Sequence, residues 1–196
     1  LQRQLNDPFV QAARDAGYRA RSAFKLEEID RRFGLIGAGT TVVDLGAAPG
    51  SWSQYAARKG ARVVACDLLP IEPIAGVTIL RGDFLDPSVQ QQIREASGGR
   101  ADLVLSDIAP DATGRRIVDR LRAEAVGEAV LEFAVGLLGP DGRVLVKLVK
   151  GAEAAVRDAG RARFRTFRPL RPEATRSESS EIFLLASGLP AADGDA

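Results

Sequence analysis

Lys147 interrupts Val144-Leu145-Val146-Lys147-Leu148-Val149, a run otherwise suited to a buried central strand. Lysine is seldom fully buried unless it is paired or functional. Such an amine either snorkels from the strand mouth to water or is placed to move a proton. Four aspartates, Asp44, Asp67, Asp83 and Asp107, each fall at or just after the end of a short apolar run. Any one of them could cap a helix or a turn, but four carboxylates at one rim of a sheet are hard to explain that way. From Val42 to Trp52 the order is β-branched run, acid (Asp44), a turn containing Gly46 and Gly50, then a helix start near Ser51. Glycine lets the backbone turn sharply and lets a ligand lie against it with no Cβ in the way. The spacing is neither the dinucleotide fingerprint nor the phosphate loop. An acid ahead of the glycines suits a ligand with a hydroxyl or a positive charge, which points to S-adenosylmethionine.

Composition removes much other chemistry. There is no histidine and only one cysteine, Cys66, so Ser-His-Asp and Cys-His arrangements, cysteine-built metal clusters and internal disulfides drop out. Proton transfer falls to Lys, Asp, Glu or Tyr, and no metal site is expected. A chain of 196 residues, 45% hydrophobic and 27% charged, reads as one soluble globular domain. No apolar run is long enough to span a bilayer. The opening Leu1-Gln2-Arg3-Gln4 is not a secretory signal, and the lack of methionine even at position 1 fits a processed or cut start. A reducing cytoplasm is the expected compartment. Net charge is only +1, yet two stretches are basic: Arg14, Arg19, Arg21 and Lys25, and the seven arginines from Arg157 to Arg176. If they meet on one face they would attract phosphates; otherwise they are a solvated surface.

The elements that must position these groups alternate. Strands are expected over 41–45, 62–67, 77–81, 101–106, 143–149, 165–170 and 181–186, with helices over 51–59, 87–96, 115–138 and 152–160. Alternation of this kind gives a mostly parallel, doubly wound α/β sheet. The last two strands lack an intervening helix and should form an antiparallel edge hairpin. Two further helices, 7–17 and 22–33, precede the core, and residues 189–196 read as a frayed tail. In such a sheet ligands sit at the carboxyl ends of the strands. Asp67 is placed there to accept ribose hydroxyls, and Asp83 to receive an adenine amine. Phe84 or Trp52 would supply apolar surface, although Trp52 could equally be plain core. Read locally, Lys25 is an outward lysine on an amphipathic helix, and Glu181 an ordinary exposed acid opening a strand.

The ordered set Arg21-Ser22-Ala23-Phe24-Lys25-Leu26, Val42 to Tyr55, Ala65 to Pro70, Gly82-Asp83-Phe84, Ser106 to Pro110, Val146-Lys147 and Ser180 to Phe183 resembles the FtsJ/RlmE family of ribosomal RNA 2′-O-ribose methyltransferases. The likeness runs from about Asp7 to Gly188. It implies a Rossmann-like methyltransferase fold in one domain, 1–188, with S-adenosylmethionine as cofactor. By motif it places a catalytic Lys-Asp-Lys-Glu tetrad on Lys25, Asp107, Lys147 and Glu181, with Lys147 taking or orienting the proton of a ribose 2′-hydroxyl. Cofactor positions fall on Gly50, Trp52, Asp67, Asp83 and Asp107, beside Asp44, Gly46 and Phe84 from the reading of the residues. The implied partner is large-subunit ribosomal RNA, a uridine of 23S rRNA in the assembled subunit; a monomer is the plain expectation beside it. Ser51, Phe183 and Ile108 depart from the family's common glycine, tyrosine and methionine; residues 114–121 and the arginine-rich stretch match less clearly. Two alternatives remain. A small-molecule O-methyltransferase would need a closed apolar substrate pocket, and a non-catalytic RNA-binding or ribosome-assembly protein would be marked by a lost tetrad lysine.

Overall fold

Short apolar strands alternating with amphipathic helices resolve into one seven-stranded sheet, seen in a computed structural model that describes residues 7–110, 112–176 and 178–189. The strands are β1 (Thr41–Leu45), β2 (Arg62–Asp67), β3 (Val77–Arg81), β4 (Ala101–Ser106), β5 (Leu138–Val149), β6 (Thr166–Leu170) and β7 (Glu181–Ser187). Their order is β3-β2-β1-β4-β5-β7-β6. Six helices are seen among the described residues: α1 (Pro8–Asp15), α2 (Ala23–Phe33), α3 (Ser51–Arg58), α4 (Pro87–Ser97), α5 (Arg116–Val135) and α6 (Glu153–Gly160). α1 and α4 begin alike. A proline occupies the first turn, and the aspartate before it, Asp7 or Asp86, accepts a main-chain N–H two residues on. Proline at that place lacks only a donor that a helix start would leave unused.

Parallel central strands are covered on both faces and so are apolar on both. One core packs α4, α5 and α6 against the sheet through residues such as Val43, Ile93, Val130 and Val156. The opposite core packs α2 and α3 through Leu26, Trp52, Leu105 and Phe183. The chain steps outward from β1 to β2 and β3, then crosses back to β4 on the other side of β1. The resulting switch point is where open α/β sheets leave a crevice for ligands. β7 is antiparallel to β5, with Val149 opposite Glu181 and Lys147 opposite Phe183. Its first residue therefore arrives at the rim where β1 to β5 end.

Three expectations shift. The helix expected over 115–138 stops at Val135, and β5 begins at Leu138 instead of Arg143. Gly139-Pro140-Asp141-Gly142 does break the pairing, but as a bulge: Ala101 faces Leu138, and the ladder resumes with Leu103 opposite Arg143. The last two strands do form an antiparallel pair, with β7 lying inside β6. Leu189, expected to open a frayed tail, is buried; the other expectations for that tail and for the first residues lie outside the described residues. No helix among the described residues is long and apolar enough to cross a membrane.

Candidate functional site

The amine of Lys147 meets the end of β4. Its Nζ donates to the main-chain carbonyl of Asp107 at 2.6 Å and lies 2.7 Å from Asp107 Oδ1. Glu181 Oε1 is 4.0 Å away, and Glu181 Oε2 accepts from Lys25 Nζ at 2.6 Å. Asp107, Lys147, Glu181 and Lys25 thus form a row of alternating charge drawn from β4, β5, β7 and α2. Both lysine side chains are almost buried, at 11% and 10% exposed. Lys25 turns inward because α2 lays its Leu26 and Ile29 on the sheet; its Nζ also rests over the Phe183 ring, 5.8 Å from the centroid. The local reading of an outward lysine is corrected by that packing. Burial raises the Asp107 carboxyl above its ordinary range, against the opposing pull of Lys147 and Lys25. Burial pulls Glu181 the same way, but the hydrogen bond and charge of Lys25, with Lys147, outweigh it and hold that carboxyl low.

Two cavities adjoin along Ile108 and Ala109. The first, about 570 Å³, is lined by Gly46, Ala48, Asp67, Asp83, Phe84 and Asp107, under a lip made by Leu68 and Leu69. Its lining contains three carboxylates and no cationic side chain. Such a wall fits S-adenosylmethionine, which carries a sulfonium, hydroxyls and an exocyclic amine, and it would repel a pyrophosphate. Asp67 fixes its floor: Oδ2 accepts from Ala48 N and Oδ1 from Leu69 N, both at 2.8 Å. Asp83 Oδ1 accepts from Leu85 N at 2.9 Å. Phe84 packs edge-on against Phe133. At Gly46, φ is +70°, and a Cβ would fall 2.5 Å from Ile108 Cγ1. Only glycine lets the turn pass beneath the β4 loop.

The second cavity, about 670 Å³, holds Lys147 and Glu181 at its inner end, with Ile117, Arg116, Arg120 and Lys150 farther out. Those four outer residues are exposed. In the sequence Arg116 and Arg120 fall within the 114–121 segment, a stretch open to RNA contact but with no motif that singles them out.

Three expected cofactor residues stand elsewhere. Trp52 is 2% exposed; its ring packs 5.8 Å from that of Phe183, and its Nε1 donates to Ser22 O at 2.8 Å. The indole is core, and Trp52 lines neither cavity. Asp44 is wholly buried beneath the glycine turn, with Oδ2 accepting from Ser53 Oγ at 2.6 Å and Oδ1 unpartnered. Burial pushes its carboxyl up to about 7. Gly50 is required by φ +103°, but its open side faces Ile74, Arg19 and Ile71. The two basic stretches do meet, around an acid: Arg21 and Arg176 both pair with Asp7. No cluster of metal ligands occurs among the described residues.

The model of the FtsJ-like methyltransferase family matches residues 18–189. Ribosomal RNA large subunit methyltransferase E of Acidiphilium cryptum is 50% identical over 190 residues, spanning 96% of this chain and 84% of that protein. The protein of the same name from Gluconobacter oxydans is 46% identical, spanning 96% and 71%. Among solved structures, a Plasmodium falciparum protein assigned to the ribosomal RNA methyltransferases superposes with a TM-score of 0.77 at 22% identity, over 88% of this chain and 98% of that one. A TehB-like SAM-dependent methyltransferase from Corynebacterium glutamicum shares the fold at a TM-score of 0.56 and 19% identity, over 91% and 93%.

Proposed function

This chain belongs to the FtsJ-like methyltransferase family, and from that premise we propose that it methylates the 2′-hydroxyl of a uridine ribose in 23S rRNA of the assembled large subunit. It is an S-adenosylmethionine-dependent RNA methyltransferase. Residues 1–188 act as one domain, working as a cytoplasmic monomer. The observation that carries this reading is the place of Lys147, where an acid-lined cavity adjoins one with a cationic rim.

When bound, S-adenosylmethionine supplies an electrophilic methyl group, so the obstacle is the weakly nucleophilic ribose hydroxyl. Asp67 and Asp83 accept the cofactor's hydroxyls and amine, Phe84 gives it apolar surface, and Gly46 keeps the turn clear of the β4 loop. Lys147 orients the acceptor hydroxyl and takes its proton. A free amine of ordinary pKa, about 10.4, is neutral roughly once in a thousand molecules at pH 7.4, a cost of about 4 kcal/mol. Asp107 does not relieve that cost; its part is to position the amine. Its main-chain carbonyl accepts from Nζ at 2.6 Å, and its Oδ1 lies 2.7 Å from the same atom. Loss of one Nζ proton to solvent frees the lone pair that receives the ribose proton. Glu181 stays ionised between the two ammonium groups and anchors both lysines. The second cavity takes the target nucleotide, with Arg116, Arg120 and Lys150 facing phosphates. An open, cation-rimmed cavity disfavours a small apolar acceptor, and the complete tetrad disfavours a non-catalytic role.

The test supplies tritiated cofactor with large ribosomal subunits or with free 23S rRNA. Label should enter subunit RNA in a dinucleotide that resists alkaline cleavage, as a 2′-O-methyl requires. Label on a base, or on neither RNA, would overturn the proposal.

A further inference from the structure

Arg19 belongs to a basic stretch that, as sequence, suggests phosphate contact, yet its half-buried guanidinium is engaged by the protein's own main-chain carbonyls. Nη1 donates to Pro49 O at 2.9 Å and to Glu72 O at 2.7 Å, and Nη2 donates to Pro73 O at 2.9 Å. Its own main-chain N–H donates to Gln54 Oε1 at 2.9 Å. One residue thereby joins three pieces of chain: the segment entering α2, the glycine turn before α3, and the connection between β2 and β3. The seam is tight. A Cβ on Gly50 would fall 2.6 Å from Ile74 Cδ1, 3.1 Å from Arg19 Nη1 and 3.2 Å from Ile71 Cγ2.

The same turn and connection are tied a second time, on the cavity side, by Asp67 holding Ala48 N and Leu69 N. Between the two ties runs the segment carrying Leu68 and Leu69, the cavity's lip, 62% and 64% exposed and so held by little packing of their own. Arg19 lines neither of the two cavities. We propose that Arg19 is a positioning residue for the cofactor, locking the β2–β3 connection onto the glycine turn so that Asp67 and the leucine lip keep their places. This inference rests on the reading of the acid-lined cavity as the S-adenosylmethionine site. A lysine cannot reproduce the clamp, because a single compact ammonium replaces a planar fork that reaches three carbonyls.

The experiment uses full-length Arg19→Ala and Arg19→Lys, with Arg14→Ala on the exposed face of α1 as control. Cofactor Kd by calorimetry, KM for cofactor and for RNA, kcat and Tm are measured. Cofactor Kd and KM should rise about tenfold in the alanine variant, the order expected from unmade charged hydrogen bonds, and by a smaller factor in the lysine variant. At saturating cofactor, kcat and the RNA KM should stay within about twofold, the pattern of lost binding that chemistry does not share. A lowered Tm with unchanged cofactor KM would mark Arg19 as scaffold and overturn the inference. A raised RNA KM with unchanged cofactor KM would make it an RNA contact and overturn it equally. If the alanine variant does not fold, the lysine variant carries the same comparison. Failure of the wild type to bind the cofactor would instead refute the site reading beneath the inference.

Discussion

The two cavities that share Ile108 and Ala109 are close in size but opposite in electrical character. One is walled by Asp67, Asp83 and Asp107 with no cation; the other opens past Arg116, Arg120 and Lys150. Pocket shape alone would not tell donor from acceptor. The proposed assignment rests on charge, which would draw a sulfonium to one wall and a phosphate chain to the other. The tetrad stands at the boundary, where a row of alternating charge leaves neither sign in excess.

That division can be broken most severely at the boundary. Lys147→Ala should lower methyl transfer by about a thousandfold, the scale of a lost proton-transfer group, while cofactor affinity stays near the wild-type value; turnover close to normal would refute its role. On the acidic side, Asp67→Asn should raise the cofactor KM about tenfold through weakened hydrogen bonds. The RNA KM should hold, and a shift in both would mean that the cavities are not separable. On the cationic side, Arg116→Ala and Arg120→Ala should each weaken RNA binding and reduce the log–log salt slope by about 1. A slope that does not change would remove phosphate from the second cavity.

The smallest effect concerns stability and lies below both cavities. Asp44, held up to about 7 in the fold, binds a proton that the unfolded chain releases near its ordinary value. Between roughly pH 4 and 7 the native state therefore holds more protons, and stability falls as pH rises through that window. Asp44→Asn should flatten this fall in Tm measured by calorimetry from pH 4 to 8. An unchanged profile would mean that the buried carboxyl is ionised throughout. Glu181, held low, works in the opposite sense: its contribution is present above its unfolded value and is lost as acid protonates it.

Much of this was legible from the chain because local chemistry and tertiary role agree. β-branched runs became strands, aspartate and proline opened α1 and α4, and Lys147 stood out against apolar neighbours. The sequence treats Asp44, Asp67, Asp83 and Asp107 as one set, whereas the structure puts three on the cavity wall and one beneath it. Strand ends give the rim, but not which way a carboxylate turns once Ser53 offers it a hydroxyl. For a similar reason local sequence points Lys25 outward and leaves Trp52 open between core and cofactor surface. Which side of a helix faces in depends on what the helix docks against, and the partners, Phe183 and Glu181, lie more than a hundred residues later. Arg19 left no local trace, since its acceptors are carbonyls from distant turns and carbonyls have no sequence signature.

Because β7 slots between β5 and β6, Lys25 meets a carboxylate 156 positions downstream. During synthesis the last residue lining the acid-walled cavity, Val126, emerges more than fifty positions before Glu181. A nascent or shortened chain lacking that final strand lacks Glu181 and the core residues Phe183 to Ala186, and is expected to be inactive. Activity arrives only with the last element to be threaded into the sheet.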